Sequence, residues 1–214
     1  MVNIDENKVV LLGETGAGKT SIMKQFMEGE FNENLLASSS SQYHRKNFKF
    51  PGNRSITLDI WDTAGQEKFR SLNKLYYKNA KVVILVYDIA DIKSFNEVKN
   101  YWYNQIKENT NKDVIIAVAA NKSDLYETRQ VSDEDGEEFA KSIGAIFEST
   151  SAKNDSGITN LFENIAHKLL EPSFNSTANE QKTKKTQGET ENNKDNSNNK
   201  VKLNTVVKKK KKCC

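Results

Sequence analysis

The stretch that most constrains this chain is a short apolar run breaking into glycines. Val9–Leu12 is a four-residue apolar segment that stops at Gly13, and Gly13-Glu14-Thr15-Gly16-Ala17-Gly18-Lys19-Thr20 leads from it into a helical pattern. In that pattern Ile22, Met23, Phe26 and Met27 recur at spacings of three and four. Strand, glycine-rich loop and helix, with the spacing G-x-x-x-x-G-K-[ST], form a phosphate-binding loop. The glycines let the backbone wrap an anion with successive N–H groups pointing inward, and the helix N-terminus adds a favourable dipole. Lys19 is placed to reach β- and γ-phosphates, and the Thr20 hydroxyl to take Mg²⁺. The plain alternative, a turn with an exposed lysine, does not account for the strand before the loop and the helix after it. The motif specifies a nucleoside triphosphate and leaves the base open.

The rest of the body alternates strand and helix. Tyr43–Phe50 and Ser55–Asp62 flank Pro51-Gly52-Asn53-Arg54 and read as a hairpin. Ile56, Leu58 and Ile60 alternate cleanly in the second arm, whereas the first arm alternates poorly and reads as a solvated edge. Val82–Tyr87 and Val114–Ala120 are continuous apolar runs suited to central parallel strands, with a helix over Ser94–Asn109 between them. Ser132 is positioned to N-cap a helix reaching about Ile143. Ala145–Glu148 is a last strand and Gly157–Glu171 a last helix. The expected fold is α/β: a six-stranded, mostly parallel sheet with one antiparallel edge hairpin and helices on both faces.

A base-reading loop leaves the end of the strand Val114–Ala120, as Asn121-Lys122-Ser123-Asp124. In an open α/β sheet, ligands lie outside the carboxyl ends of strands. An aspartate there accepts both the N1–H and the N2 amino hydrogens of guanine, a donor pair adenine lacks, and bidentate base contacts discriminate by about 1–3 kcal/mol. Ser151-Ala152-Lys153 follows the last strand and adds a further backbone edge for the base. Asp62-Thr63-Ala64-Gly65-Gln66-Glu67 ends the hairpin's second arm. Asp62 is placed to hold Mg²⁺ through water, the Gly65 N–H to meet a γ-phosphate, and Gln66 to orient the attacking water.

GETGAGKT, WDTAGQEKFRSL, the pair Tyr76-Tyr77, LVYDI, NKSD and STSAK, in this order, resemble the Ras-like small GTPases. WDTAGQEKFRSL and the terminal Cys213-Cys214 are similar to the Rab branch, and KVVLLGE and VIIAVAANKSDL to its early-endosomal subgroup. The resemblance spans residues 8–171 and the terminus. It implies a GTP/GDP switch that binds Mg²⁺ and hydrolyses GTP. The implied nucleotide set is Glu14, Thr15, Gly16, Ala17, Gly18, Lys19, Thr20, Ser21, Phe31 on the guanine edge, Gly65, Asn121, Lys122, Asp124, Ser151, Ala152 and Lys153. Thr20, Ser38 and Asp62 are the implied metal set, Gln66 the catalytic residue, and Tyr43, Trp61 and Tyr76 the aromatic triad read by effectors. His44 and His167 match no motif and read as surface or interface residues.

One departure stands out. Where Rabs have Thr-Ile-Gly this chain has Ser38-Ser39-Ser40, so a serine without the rotamer-restricting methyl falls on the residue that closes over Mg²⁺. Thr15 lies near where Gln66 must act and is placed to slow hydrolysis. A nucleotide-dependent scaffold that barely turns over GTP is therefore one alternative, opposed by Gln66. A P-loop kinase or ATPase is another, opposed by NKSD, SAK and the lack of a lid-like insertion.

Charge divides the chain. Residues 1–171 carry 21 Lys and Arg against 25 Asp and Glu, and residues 172–214 carry 11 Lys against 4 acidic residues. Pro172 marks the domain edge, and the Asn-, Lys-, Thr- and Ser-rich stretch after it is too polar to bury, so it is expected to be disordered. It ends Lys208–Lys212, Cys213, Cys214, which is no C-a-a-X box, and Val2 excludes N-myristoylation. Double-cysteine ends resemble Rab substrates for geranylgeranylation, with the lysines adding attraction to an anionic membrane. With both cysteines at the end, a disulfide scaffold and a four-cysteine zinc site are ruled out. No run approaches the ~20 apolar residues of a membrane span, and residues 1–7 have no apolar signal core. The resemblance implies an exchange factor, a GTPase-activating protein supplying the arginine finger that the body lacks, effectors, Rab escort protein and GDP-dissociation inhibitor as partners. A monomer is expected, with no nucleic acid partner, on the cytoplasmic face of an endosome or vesicle and cycling through the cytosol.

Overall fold

The computed structural model describes residues 7–35, 41–63 and 76–171. Its elements in chain order are β1 (Lys8–Leu12), α1 (Lys19–Glu28), β2 (Gln42–Phe50), β3 (Arg54–Asp62), β4 (Val82–Asp88), α2 (Ile92–Glu97), a π-helical turn (Val98–Trp102), α3 (Tyr103–Asn109), β5 (Ile115–Asn121), a 3₁₀ turn (Tyr126–Thr128), α4 (Asp133–Ser142), β6 (Ile146–Ser149) and α5 (Ile158–Leu170). The strand order is β2-β3-β1-β4-β5-β6. Only β2 and β3 pair antiparallel; every other neighbouring pair is parallel. This is the six-stranded, mostly parallel sheet with one antiparallel edge hairpin expected from the sequence.

Period-two alternation decides which residues meet which helices. Val9 and Leu11, Ile84 and Val86, and Ala117 and Ala119 point to the face covered by α1 and α5, where Ile22, Met23, Phe162 and Ile165 close the core. Val10 and Leu12, Val83 and Leu85, and Val118 and Ala120 point the other way, onto Phe95, Val98, Trp102, Ile106 and Phe139. Burial on both faces explains why β1, β4 and β5 read as unbroken apolar runs. Their carboxyl ends therefore stay fixed, and the functional loops leave from there.

Two expectations need amendment. The helix expected over Ser94–Asn109 begins at Ile92 and contains a π turn, in which the Tyr103 N–H reaches back five residues to the Val98 carbonyl. The first hairpin arm is an edge strand, yet it does alternate. His44, Lys46, Phe48 and Phe50 are half-buried, and the residues between them are exposed. Phe48 lies 5.9 Å from Phe26, which stacks on Phe162 at 3.9 Å, and the Lys46 ammonium sits 5.3 Å over the Phe26 ring. A lysine stem supplies apolar surface that a hydropathy pattern does not register. His167 is exposed, with its ring 4.5 Å from Phe50. Ser132 caps α4 as expected, its hydroxyl accepting from the Asp135 N–H at 3.0 Å.

Within α4, Gly136 has no room for a side chain. A Cβ there would meet the Tyr87 hydroxyl and stand 2.7 Å from the Phe147 ring. Glycine to alanine in an exposed helix usually gains about 1 kcal/mol. Here overpacking outweighs that gain, and Gly136→Ala is expected to lower the unfolding free energy by about 1–3 kcal/mol in a urea titration of the GDP-bound protein.

Candidate functional site

The loops after β1, β3, β5 and β6 surround a cavity of about 410 Å³. Of the expected nucleotide set, Thr15, Gly16, Gly18, Lys19, Thr20, Ser21, Phe31, Asn121, Lys122, Asp124, Ala152 and Lys153 line it. Glu14, Ala17 and Ser151 stand behind the wall, and each ties a neighbour in place through its side chain or carbonyl. Asn32, Glu33, Leu35, Thr63 and Leu125 line the cavity too, although no motif marks them. Gly65, Gln66 and Ser38, together with Cys213 and Cys214, lie outside the described residues.

At the phosphate end, Lys19 is buried and its ammonium donates to the Gly13 carbonyl at 2.8 Å and the Glu14 carbonyl at 2.9 Å. Burial lowers its pKa to about 8, against the charges of Asp62 and Glu14, which pull it upward. The Thr20 hydroxyl donates to Asp62 Oδ2 at 2.6 Å. Burial raises the Asp62 carboxyl above the ordinary carboxylate range, while the Thr20 bond and the Lys19 charge oppose it. The other Asp62 oxygen is buried without a hydrogen-bond partner among the described residues. A hydroxyl with its proton turned to a carboxylate presents its lone pairs outward, and the spare carboxylate oxygen can accept from a metal-bound water. Among the described residues no three His, Cys, Asp or Glu side chains converge. A cation here would lean on few protein oxygens and on its ligand's phosphates, which suits Mg²⁺.

At the other end, Asp124 Oδ1 accepts from the Ser151 hydroxyl at 2.5 Å, and the same hydroxyl accepts from the Asn154 N–H at 3.1 Å. A backbone edge was expected of Ser151; what its side chain does is orient the Asp124 carboxylate. Lys122 adopts φ 65°, and its ammonium pairs with Asp88 Oδ2 at 2.7 Å. The mouth is crossed by an ion pair between Lys153 and Glu33 at 2.6 Å, both largely exposed.

The two ends are tied together by Asn121. Its amide donates to the Ala17 carbonyl at 2.8 Å, and its oxygen accepts from the Thr150 hydroxyl at 3.3 Å. Gly18, at φ 94°, passes so close that a Cβ would strike the Asn121 amide.

Away from the cavity, Tyr43 and Trp61 are directly opposed across β2 and β3, with ring centroids 5.2 Å apart, and Tyr76 continues the row 6.4 Å from Trp61. Buried Asp59 accepts from the Tyr43 hydroxyl at 2.6 Å and from the Arg45 Nε at 2.7 Å. The three aromatics were implied by the family resemblance; the carboxylate that engages Tyr43 was not.

Residues 8–171 match the Ras family. The chain is 40% identical over 169 residues to Ras-related protein Rab-31 of Mus musculus, covering 79% of this chain and 86% of that protein. It is 41% identical over 163 residues to Ras-related protein Rab-21 of Dictyostelium discoideum, 76% of each chain. With Ras-related protein Rab-21 of Homo sapiens it shares 39% identity over 164 residues, 77% of this chain and 72% of that one. The sheet order and the cleft define a P-loop nucleotide-binding α/β domain. The chain belongs to the Ras family, and within it to the Rab-type small GTPases, GTP-hydrolysing switches of vesicle trafficking.

The lowered pKa of Lys19 has a signed consequence. Above about pH 8 the free protein loses the ammonium proton; phosphates bound beside Lys19 would hold it, and binding would then take up a proton. GDP affinity is expected to be level near pH 7 and to fall as pH rises through 8, approaching tenfold per unit at most. Calorimetric titrations in two buffers of different ionisation enthalpy would read the proton uptake directly.

Proposed function

We propose that GTP and GDP occupy this cleft with their phosphates in the loop Glu14–Thr20 and their guanine edge on Asp124. The observation that supports this most is the placement of Lys19 and Asp124 at opposite ends of one cavity, with Asn121 tying the two loops together. Asp124 accepts from the two guanine donors, oriented by Ser151. Phe31 covers the base, Lys122 flanks it, and Ala152 and Lys153 close its far edge. Thr20 would hold Mg²⁺ directly and Asp62 through water, with Ser38 of the first switch joining them in the triphosphate state. The metal, when bound, neutralises charge developing on the β- and γ-phosphate oxygens. Gly65 meets the γ-phosphate, and Gln66 orients the water for in-line attack.

On this reading the ordered triphosphate state presents Tyr43, Trp61 and Tyr76 to effectors, and hydrolysis withdraws them. An exchange factor reloads the protein and a GTPase-activating protein supplies the arginine. Residues 1–171 form the GTPase domain, and residues 172–214 a basic tether ending in geranylgeranylated Cys213 and Cys214. No helix among the described residues is long and apolar enough to cross a membrane. Attachment to the cytoplasmic face of an endosome or vesicle then rests on the lipids and Lys208–Lys212. Delivery needs Rab escort protein, and GDP-dissociation inhibitor covers the lipids during passage through the cytosol.

Two substitutions test the two halves of this reading. Asp124→Asn is expected to move preference from GDP to XDP, whose 2-position carries a carbonyl, in a competition assay; a mutant still preferring GDP would overturn the base assignment. Replacing Cys213 and Cys214 with serine is expected to leave GTP binding intact and move the protein to the soluble fraction. Persistence on membranes would transfer the attachment to the lysines or a protein receptor.

A further inference from the structure

Trp102 is buried, 1% exposed, and is the largest fully enclosed side chain among the described residues. Its indole N–H is a donor with no acceptor capacity, so burial obliges it to find a partner. The partner is Glu14 Oε1, at 3.1 Å and 88 residues away in sequence. Glu14 is the second residue of the phosphate loop. Its main-chain carbonyl accepts from the Lys19 ammonium at 2.9 Å and from the Ala17 N–H at 3.3 Å. One residue therefore carries the indole on its side chain and the functional lysine on its backbone. The carboxylate leads away from the cavity, and neither Glu14 nor any residue of Val98–Trp102 lines it.

Trp102 closes the π turn, whose five-residue hydrogen bond from Tyr103 to Val98 interrupts an otherwise regular helix. Such bulges occur mostly as single turns and often accompany functional sites. The far half of the phosphate loop already has a tie, from Asn121 to the Ala17 carbonyl. The near half has this one.

We propose that Trp102 is a positioning residue for the nucleotide, acting through Glu14 to hold the first half of the phosphate loop in its binding shape. The bond keeps the Glu14 carbonyl under the Lys19 ammonium before phosphate arrives and keeps Thr15 at the cavity wall. Without it the loop must be ordered at the moment of binding, and bound nucleotide escapes more readily. The inference rests on the reading of this loop as the phosphate site.

The test is release of N-methylanthraniloyl-GDP from the full chain, with Mg²⁺ and excess unlabelled GDP. Trp102→Phe and Glu14→Ala are each expected to speed release roughly three- to tenfold, as for loss of a hydrogen bond to a charged acceptor. The double variant should release no faster than the faster single one, because both remove the same bond. Glu14→Gln, whose amide oxygen still accepts, should recover most of what Glu14→Ala loses. If Trp102→Phe does not fold, the Glu14 pair still decides, together with the Trp102 indole N–H resonance. That resonance should move in Glu14→Ala and return towards its original position in Glu14→Gln. Unchanged release in Glu14→Ala, additive effects in the double variant, or an unmoved indole resonance would each overturn the proposal. A wild-type chain unable to retain the labelled GDP would overturn the nucleotide reading as well. Wild-type retention with unaltered variants would overturn the tether alone.

Discussion

The side-chain amide of Asn121 is the group on which the cleft depends. It is buried at the end of β5, donates to the phosphate loop at Ala17 and accepts from Thr150 in the loop that precedes Ser151. Its main-chain carbonyl also accepts from the Ile89 N–H at 3.0 Å, after β4. A buried amide left half-satisfied costs about 1–3 kcal/mol, so each partner is held to its place by the others. The strand beneath is fixed by pairing on both sides and packing on both faces. Loops that would otherwise wander thus inherit the rigidity of the sheet. The bare backbone of Gly18 belongs to the same constraint, since it leaves the amide its space.

Much of this was legible from the residue order. The apolar runs gave β1, β4 and β5 because strands buried on both faces need no polar letters. Gly13–Thr20 and Asn121–Asp124 identified the two ends of the cleft because their chemistry is local. What escaped was non-local or carried by an unremarkable letter. Nothing in Val98–Trp102 announces a π turn, whose backbone bonds are set by packing rather than propensity. Ser151 gave no sign that its hydroxyl would orient Asp124, nor Asp59 that it would lie beneath Tyr43 and Arg45. Glu33 and Leu125 enter the cavity wall only because the loops around them converge. The alternation of the first hairpin arm is hidden in the sequence because Lys46 and His44 count as polar while their bodies are half-buried.

The outer face of the hairpin makes a related point about specificity. Tyr43 is exposed, but its hydroxyl is engaged by Asp59, and Arg45 shares the same carboxylate oxygen. The two side chains are restrained together, in register with Trp61 and Asp59 across the strand pair. A partner docking on this face would meet an aromatic ring and a guanidinium whose relative positions are set before contact, which would lower the entropy it must remove.

The position of β1 at the middle of the sheet bears on how the chain is made. Lys8–Leu12 leaves the ribosome early, yet its neighbours are Asp59–Asp62 on one side and Val82–Leu85 on the other. At about 5–20 residues per second, roughly 4–15 s pass between synthesis of the first strand and of its second neighbour. Until β3 has been made, four consecutive apolar residues destined for complete enclosure have no strand to join, and until β4 has been made one edge of theirs stays unpaired. The nascent chain is thus open to mispairing at β1 for as long as Val82–Leu85 has not been made.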